Sequence, residues 1–187
     1  MITLNTEQLL LSLTGNIIVV GNAPTFKNNG PTIDNFDIIF RFNNYRIEGY
    51  EKNIGNRTSF RVISTWRDLE PYNAGIEICP FTQNSPEAIN RKNYERASSV
   101  PVIYASKDVR NLLKGYPRPS TGLAFLTILA ALKIPAAITG FSGCDDGYYW
   151  NNKHRQHAHD SNLERLAISK LPGIFNINEI TQRPGAS

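Results

Sequence analysis

The chain has 187 residues, a length that fits one domain, because a chain of this size buries most of the surface its unfolded form exposes. At 41% hydrophobic and 19% charged, without low-complexity runs or internal repeats, it has the composition of an ordinary globular protein and is neither fibrous nor disordered. Its formal charge of +4 is mild and its basic residues are scattered, which excludes nucleic acid as the expected partner and favours a small anionic ligand in a modestly positive cleft.

Residues 1–14 lack a basic segment and a cleavage site, and the run Leu9-Leu10-Leu11 is far too short to span a bilayer. They are expected to form an N-terminal surface helix opened by a capping pair, Asn5 and Gln8. No transmembrane segment is expected. Residues 16–20 (NIIVV) form a β-branched run that ends at Gly21, the pattern of a buried strand running into a loop. Residues 37–42, 58–63, 76–79, 100–104 and 136–140 repeat that pattern. Residues 85–97 and 106–114 read as amphipathic helices, whereas 121–132 (TGLAFLTILAAL) is apolar almost all round and reads as a buried one. Ser161 and Glu164 have the spacing of a capping box, opening a last helix to about Lys170. Strands alternating with helices imply a single α/β domain over 1–187, built on a mostly parallel sheet flanked by helices. The polar, aromatic stretch 142–159 is expected to be an active-site loop at the carboxyl ends of the strands, and 181–187 a disordered tail.

Several short segments carry chemistry, each with a plainer reading beside it. Gly21-Asn22-Ala23-Pro24 follows the first strand, where the glycine would let backbone approach a ligand and Asn22 would offer an amide; the same residues also make an ordinary tight turn. Arg41-Phe42-Asn43-Asn44 places a second amide at the same sheet edge, or merely starts a turn beside an ion-paired arginine. Pro119-Ser120-Thr121-Gly122 opens the apolar helix, either as a simple N-cap or as an anion site of free N–H groups and hydroxyls. His154, His157 and His159 share the long loop, but their spacing fits no standard zinc site, and neither Cys79 nor Cys144 is placed to join them. Both cysteines read as reduced thiols. His159 sits just before a helix start, whose positive end disfavours imidazolium and keeps a neutral ring able to accept a proton. Asp145-Asp146 reads as a polar turn and not as a metal-binding D-x-D.

In order, these segments resemble the sialyltransferases defined by sialylmotifs L, S, III and VS, glycosyltransferase family 29. Residues 17–58 resemble motif L, with the strand-GN start, the I-D-x-F-D segment, R-x-N and N-I-G-N-R-T. Residues 119–141 resemble motif S, Tyr148-Tyr149-Trp150 resembles motif III, and residues 159–164 match the H-x-x-x-x-E of motif VS. The resemblance implies a Rossmann-like, GT-A-type variant fold and an inverting, metal-independent transfer of sialic acid from a CMP-sugar donor to a glycan or lipid-linked glycan. No cofactor is implied.

By the same resemblance, Asn22, Asn43, Ser120, Thr121, Gly122 and Gly140 would bind CMP, with Tyr148 or Tyr149 supporting the leaving phosphate. His159 would be the general base, and Gly21 and Glu164 would support the site. Animal members of the family are membrane-anchored and carry a disulfide between motifs L and S. The corresponding stretches here, Ile17-Ile18 and Lys133-Ile134-Pro135, hold no cysteine, so a bacterial-type, cytoplasmic member, at most peripheral to the inner membrane, is expected. Motif III lacks its leading histidine, and the chain is short for the family. The alternatives are a transferase for another CMP-activated ulosonic acid such as Kdo, or a non-catalytic nucleotide-binding homologue.

Overall fold

The six β-branched or apolar runs all become strands in the computed structural model, which describes residues 4–24, 28–64, 75–82, 101–116, 119–142, 147–150 and 160–180. They are β1 (Ile17–Val20), β2 (Ile38–Phe42), β3 (Phe60–Val62), β4 (Glu77–Cys79), β5 (Val102–Tyr104) and β6 (Ala136–Thr139). A seventh strand, β7 (Ile174–Asn176), lies beyond the predicted set, at one edge, with Phe175 exposed. The strands form one sheet in the order β5-β4-β3-β2-β1-β6-β7, and every pairing is parallel. The chain therefore builds outward from β1 to β5, then returns to the other side of β1. That reversal leaves a crevice between the carboxyl ends of β1 and β6, where open α/β sheets bind ligands.

Helices cover both faces, as continuous apolar strands require. The helices are α1 (Thr6–Ser12), α2 (Gly30–Asp34), α3 (Glu51–Ile54), α4 (Val109–Leu112), α5 (Thr121–Ala131), α6 (Ser161–Ser169) and α7 (Ile177–Ile180). Phe125, Leu126, Ile128 and Leu129 of α5 pack with Val19, Phe40, Val62 and Ile138 on one face, joined by Leu9 and Leu10 of α1. On the other face Ile18, Val20, Ile39 and Ala137 meet Ile33 of α2 and Ile177 of α7. The capping pair opens α1 as expected, with the Gln8 N–H on Asn5 Oδ1 at 2.9 Å and the Asn5 N–H on Gln8 Oε1 at 3.0 Å.

Some expectations need correction. The helix expected over 106–114 reduces to α4, and Ser106 donates its N–H and hydroxyl to the Glu7 carboxylate of α1 while accepting from Asp108 N–H at 3.3 Å. α6 begins as expected at Ser161, but its N-cap is Asp160, whose carboxylate accepts from Asn162 and Leu163 N–H at 3.1 and 3.0 Å. Glu164 thus has no part in a capping box, and its carboxylate turns elsewhere. The helix expected over 85–97 and the tail 181–187 lie outside the described residues.

Charged groups inside the sheet are paired or bonded. The buried Arg61 and Glu77 face each other across β3 and β4, with Arg61 Nε donating to Glu77 Oε1 at 2.6 Å. Arg41 of β2, also buried, donates to the carbonyls of Ile54 at 2.6 Å and Arg57 at 2.9 Å. Removing one partner of such a pair strands a buried charge. Glu77→Ala should therefore lose about 3–5 kcal/mol in urea unfolding, and a loss below ~1 kcal/mol would show that the pair does not hold β3 to β4.

Candidate functional site

The first two motif segments meet at the crevice because β1 and β6 continue to hydrogen-bond past their last residues. Gly21 N–H donates to the Thr139 carbonyl at 2.8 Å and Ala23 N–H to the Gly140 carbonyl at 3.0 Å. A Cβ on Gly21 would stand 2.2 Å from the Gly140 oxygen, so only glycine permits this approach. The side chain of Asn22 reaches the end of β2, with Nδ2 donating to the Phe42 carbonyl at 3.0 Å. Its Oδ1 is buried without a hydrogen-bond partner.

Asn43 follows β2 in the left-handed region, at φ +48°, a conformation asparagine tolerates better than most residues. Its N–H continues the ladder to the Val62 carbonyl at 2.9 Å, and its Oδ1 accepts from Ser64 N–H at 3.3 Å. Ser64 lies just past the end of β3, buried, with its hydroxyl bonded to that of Thr121. Reading the residues one by one did not single out Ser64, since Ile63-Ser64-Thr65 is an ordinary strand end and its partner lies 57 residues on.

The N-terminus of α5 supplies the next group. Ser120 is the N-cap, its hydroxyl oxygen accepting from Leu123 N–H at 3.1 Å, while Ala124 N–H bonds to the Ser120 carbonyl at 3.0 Å. The amides of Thr121 and Gly122 remain as the first-turn donors for a ligand. A Cβ on Gly122 would meet the Phe141 ring at 2.8 Å, so the bare glycine lets Phe141 lie over the helix start, where it packs edge-on to Phe42.

Glu164, 5% exposed, points from α6 at this same turn: Ser120 donates its N–H to Oε1 at 2.6 Å and its hydroxyl to Oε2 at 2.7 Å. One carboxylate thereby locks the start of α5 to the first turn of α6. His159, next in sequence to the N-cap Asp160, lies outside the described residues, as do His154, His157, Asp145 and Asp146.

The aromatic segment closes over the loops after β1 and β2. Tyr149 N–H donates to the Asn22 carbonyl at 3.0 Å, and its hydroxyl accepts from Arg46 N–H at 3.0 Å while donating to the Arg46 carbonyl. Trp150 stacks on Tyr148 with ring centres 4.7 Å apart, and Tyr149 packs edge-on to Tyr50 at 5.1 Å. Of the two tyrosines, Tyr149 has its hydroxyl proton committed to backbone.

The fold is an all-parallel, Rossmann-like α/β sheet with amides, hydroxyls and a helix start gathered at its reversal point. Residues 15–76 match the family model of glycosyltransferase family 29 (sialyltransferase). The ordered motifs agree with that match, so in residues 15–76 the chain is similar to glycosyltransferase family 29.

Its relatives include type 2 lactosamine alpha-2,3-sialyltransferase of Rattus norvegicus, 45% identical over 161 residues, covering 66% of this chain and 49% of the relative. The Mus musculus protein of that name is 47% identical over 111 residues, covering 51% and 34%. The chain thus spans about half or less of the length of these relatives. A crystal structure of a mammalian sialyltransferase aligns with TM-score 0.61 at 19% identity, covering 89% of this chain and 70% of that one. These relatives are mammalian and lend no support to a bacterial or cytoplasmic assignment. Among the described residues no helix is long and apolar enough to cross a membrane.

Two outcomes follow from this geometry. Glu164→Ala removes the charged acceptor of both Ser120 bonds and should cost about 2–3 kcal/mol, read as a lowered thermal midpoint; an unchanged midpoint would show that the two helix starts are not locked. Burial raises the Tyr149 hydroxyl from 10.0 to about 12, only partly offset by its bond to Arg46 and the charge of Arg41. A raised folded value means stability is full below the unfolded value and is lost as pH climbs from 10.0 towards 12. Tyr149→Phe should shallow that alkaline loss, and identical slopes for both proteins would refute it.

Proposed function

We propose that the chain is a sialyltransferase that moves sialic acid from CMP-sialic acid to a glycan hydroxyl with inversion and without a metal. The observation that carries this reading is the convergence of Asn22, Asn43, Ser120, Thr121, Gly122 and Gly140 on the single crevice between β1, β2, β6 and the start of α5. Their chemistry suits a nucleoside monophosphate. The Thr121 and Gly122 amides, the Thr121 hydroxyl and the Asn43 amide would bind the phosphate. Asn22, one of whose amide hydrogens goes to Phe42 and whose oxygen has no partner, would meet a proton-bearing group of the nucleoside. The names of the relatives favour sialic acid over Kdo as the sugar carried.

In the reaction, His159 would take the proton from the acceptor hydroxyl as its oxygen attacks the anomeric carbon. The bond to CMP breaks with its electron pair passing to the phosphate. The helix start and hydroxyls then hold the added charge in place of a metal. Tyr148, whose hydroxyl is not committed to Arg46, is the better of the two tyrosines for the departing phosphate. Glu164 ties the helix that follows His159 to the helix that holds the phosphate, so base and leaving group would keep a fixed spacing.

The test is CMP release from CMP-sialic acid in the presence of a glycan acceptor, with and without EDTA. Turnover should survive EDTA, and His159→Ala should lower it at least ~100-fold with CMP affinity little changed. CMP binding without release from any CMP-sugar would instead identify a non-catalytic homologue.

A further inference from the structure

We propose that Ser64 is a positioning residue that sets the polarity of the phosphate subsite by making both Asn43 and Thr121 present hydrogens to the ligand. The inference rests on the reading of the crevice as a CMP site. Three segments far apart in sequence meet at Ser64. Its backbone N–H donates to Asn43 Oδ1, and its hydroxyl bonds to that of Thr121 at the start of α5.

An amide side chain has one accepting and one donating end, and a backbone N–H bonds only the accepting end. Ser64 therefore fixes the flip of Asn43 and leaves its Nδ2 hydrogens, which bond to no described residue, as what Asn43 offers the crevice. A hydroxyl pair obeys a similar rule, because each oxygen has one proton and one of the two must accept. A phosphate dianion gives no protons, so with it bound Thr121 must donate to the phosphate and Ser64 must donate to Thr121. Ser64 has the position and burial for this task, being covered by the protein and hydrogen-bonded on both sides.

Asn22 supplies the contrast. One of its amide hydrogens goes to the Phe42 carbonyl, and its buried Oδ1 is an acceptor without a partner. No such backbone donor fixes its oxygen, whereas Ser64 N–H fixes that of Asn43.

The experiment compares binding of CMP and of cytidine, which lacks the phosphate, by calorimetry on the full chain. Ser64→Ala keeps the backbone N–H and loses the hydroxyl, and Ser64→Cys keeps comparable bulk with a poor donor. Both should bind CMP about tenfold more weakly, the effect of losing about 1.4 kcal/mol of hydrogen bonding, while cytidine affinity stays unchanged. Ser64→Thr should restore CMP binding. An equal loss for CMP and cytidine would mark Ser64 as merely structural and overturn the proposal, as would unchanged CMP affinity in the alanine and cysteine variants. Absence of CMP binding in the wild-type chain would sink the CMP reading itself, a result separate from either outcome at Ser64.

Discussion

The contact on which the rest of the molecule depends is the pairing of β1 with β6, carried beyond the strands by Gly21 and Ala23 onto Thr139 and Gly140. Strands 17–20 and 136–139 are brought side by side by a chain that has already laid four other strands away from them. Past this seam the chain after β1 leads to α2, and the aromatic segment after β6 bonds back to it through Tyr149 N–H on the Asn22 carbonyl. The close approach of Gly21 to Gly140 holds the two loop starts at backbone distance. Asn22 can span to β2 only because its own backbone is anchored on β6.

A second layer of constraint comes from polar groups spent on one another. Glu164 is a buried carboxylate beside a helix N-terminus, where the dipole favours negative charge. It uses the N-cap amide and hydroxyl of Ser120 and leaves the next two amides of α5 for a ligand. Arg41 extends the same economy beneath the site, with its guanidinium taken by carbonyls of α3 and the following loop and its charge under the Tyr45 ring. What remains uncommitted at the crevice is therefore a small, selected set of donors and acceptors.

Much of this was legible in the sequence, for reasons of period and punctuation. β1, β2 and β6 are apolar runs stopped by Gly or Asn, and the buried helix α5 announces itself by an unbroken apolar stretch after Ser120. Asn22 and Asn43 could be placed at one sheet edge if their strands run parallel, whereas Thr121 joined them through the motif resemblance. β7 could not, because its three residues alternate around an exposed Phe175 without a β-branched run, and α2 and α3 are too short to show a helical period. Glu164 was misread as a cap for a physical reason. The spacing from Ser161 is that of a capping box whichever way the carboxylate turns, and its partner Ser120 lies 44 residues away. Ser64 escaped notice for the same cause.

The all-parallel order has a consequence for how the molecule comes into being. A parallel pair cannot close through a tight hairpin, so every strand contact waits on a long crossover, and such topologies are slow to form. The bonds that complete the crevice are longer-range still, with Arg46 and Tyr149 separated by 103 residues. Asn22 and Asn43 come from one end of the chain and Ser120 to Gly140 from the other, so the crevice exists only after β6 has docked against β1. Ligand affinity is for this reason also a gauge of complete folding, and during synthesis the site is among the last parts to form.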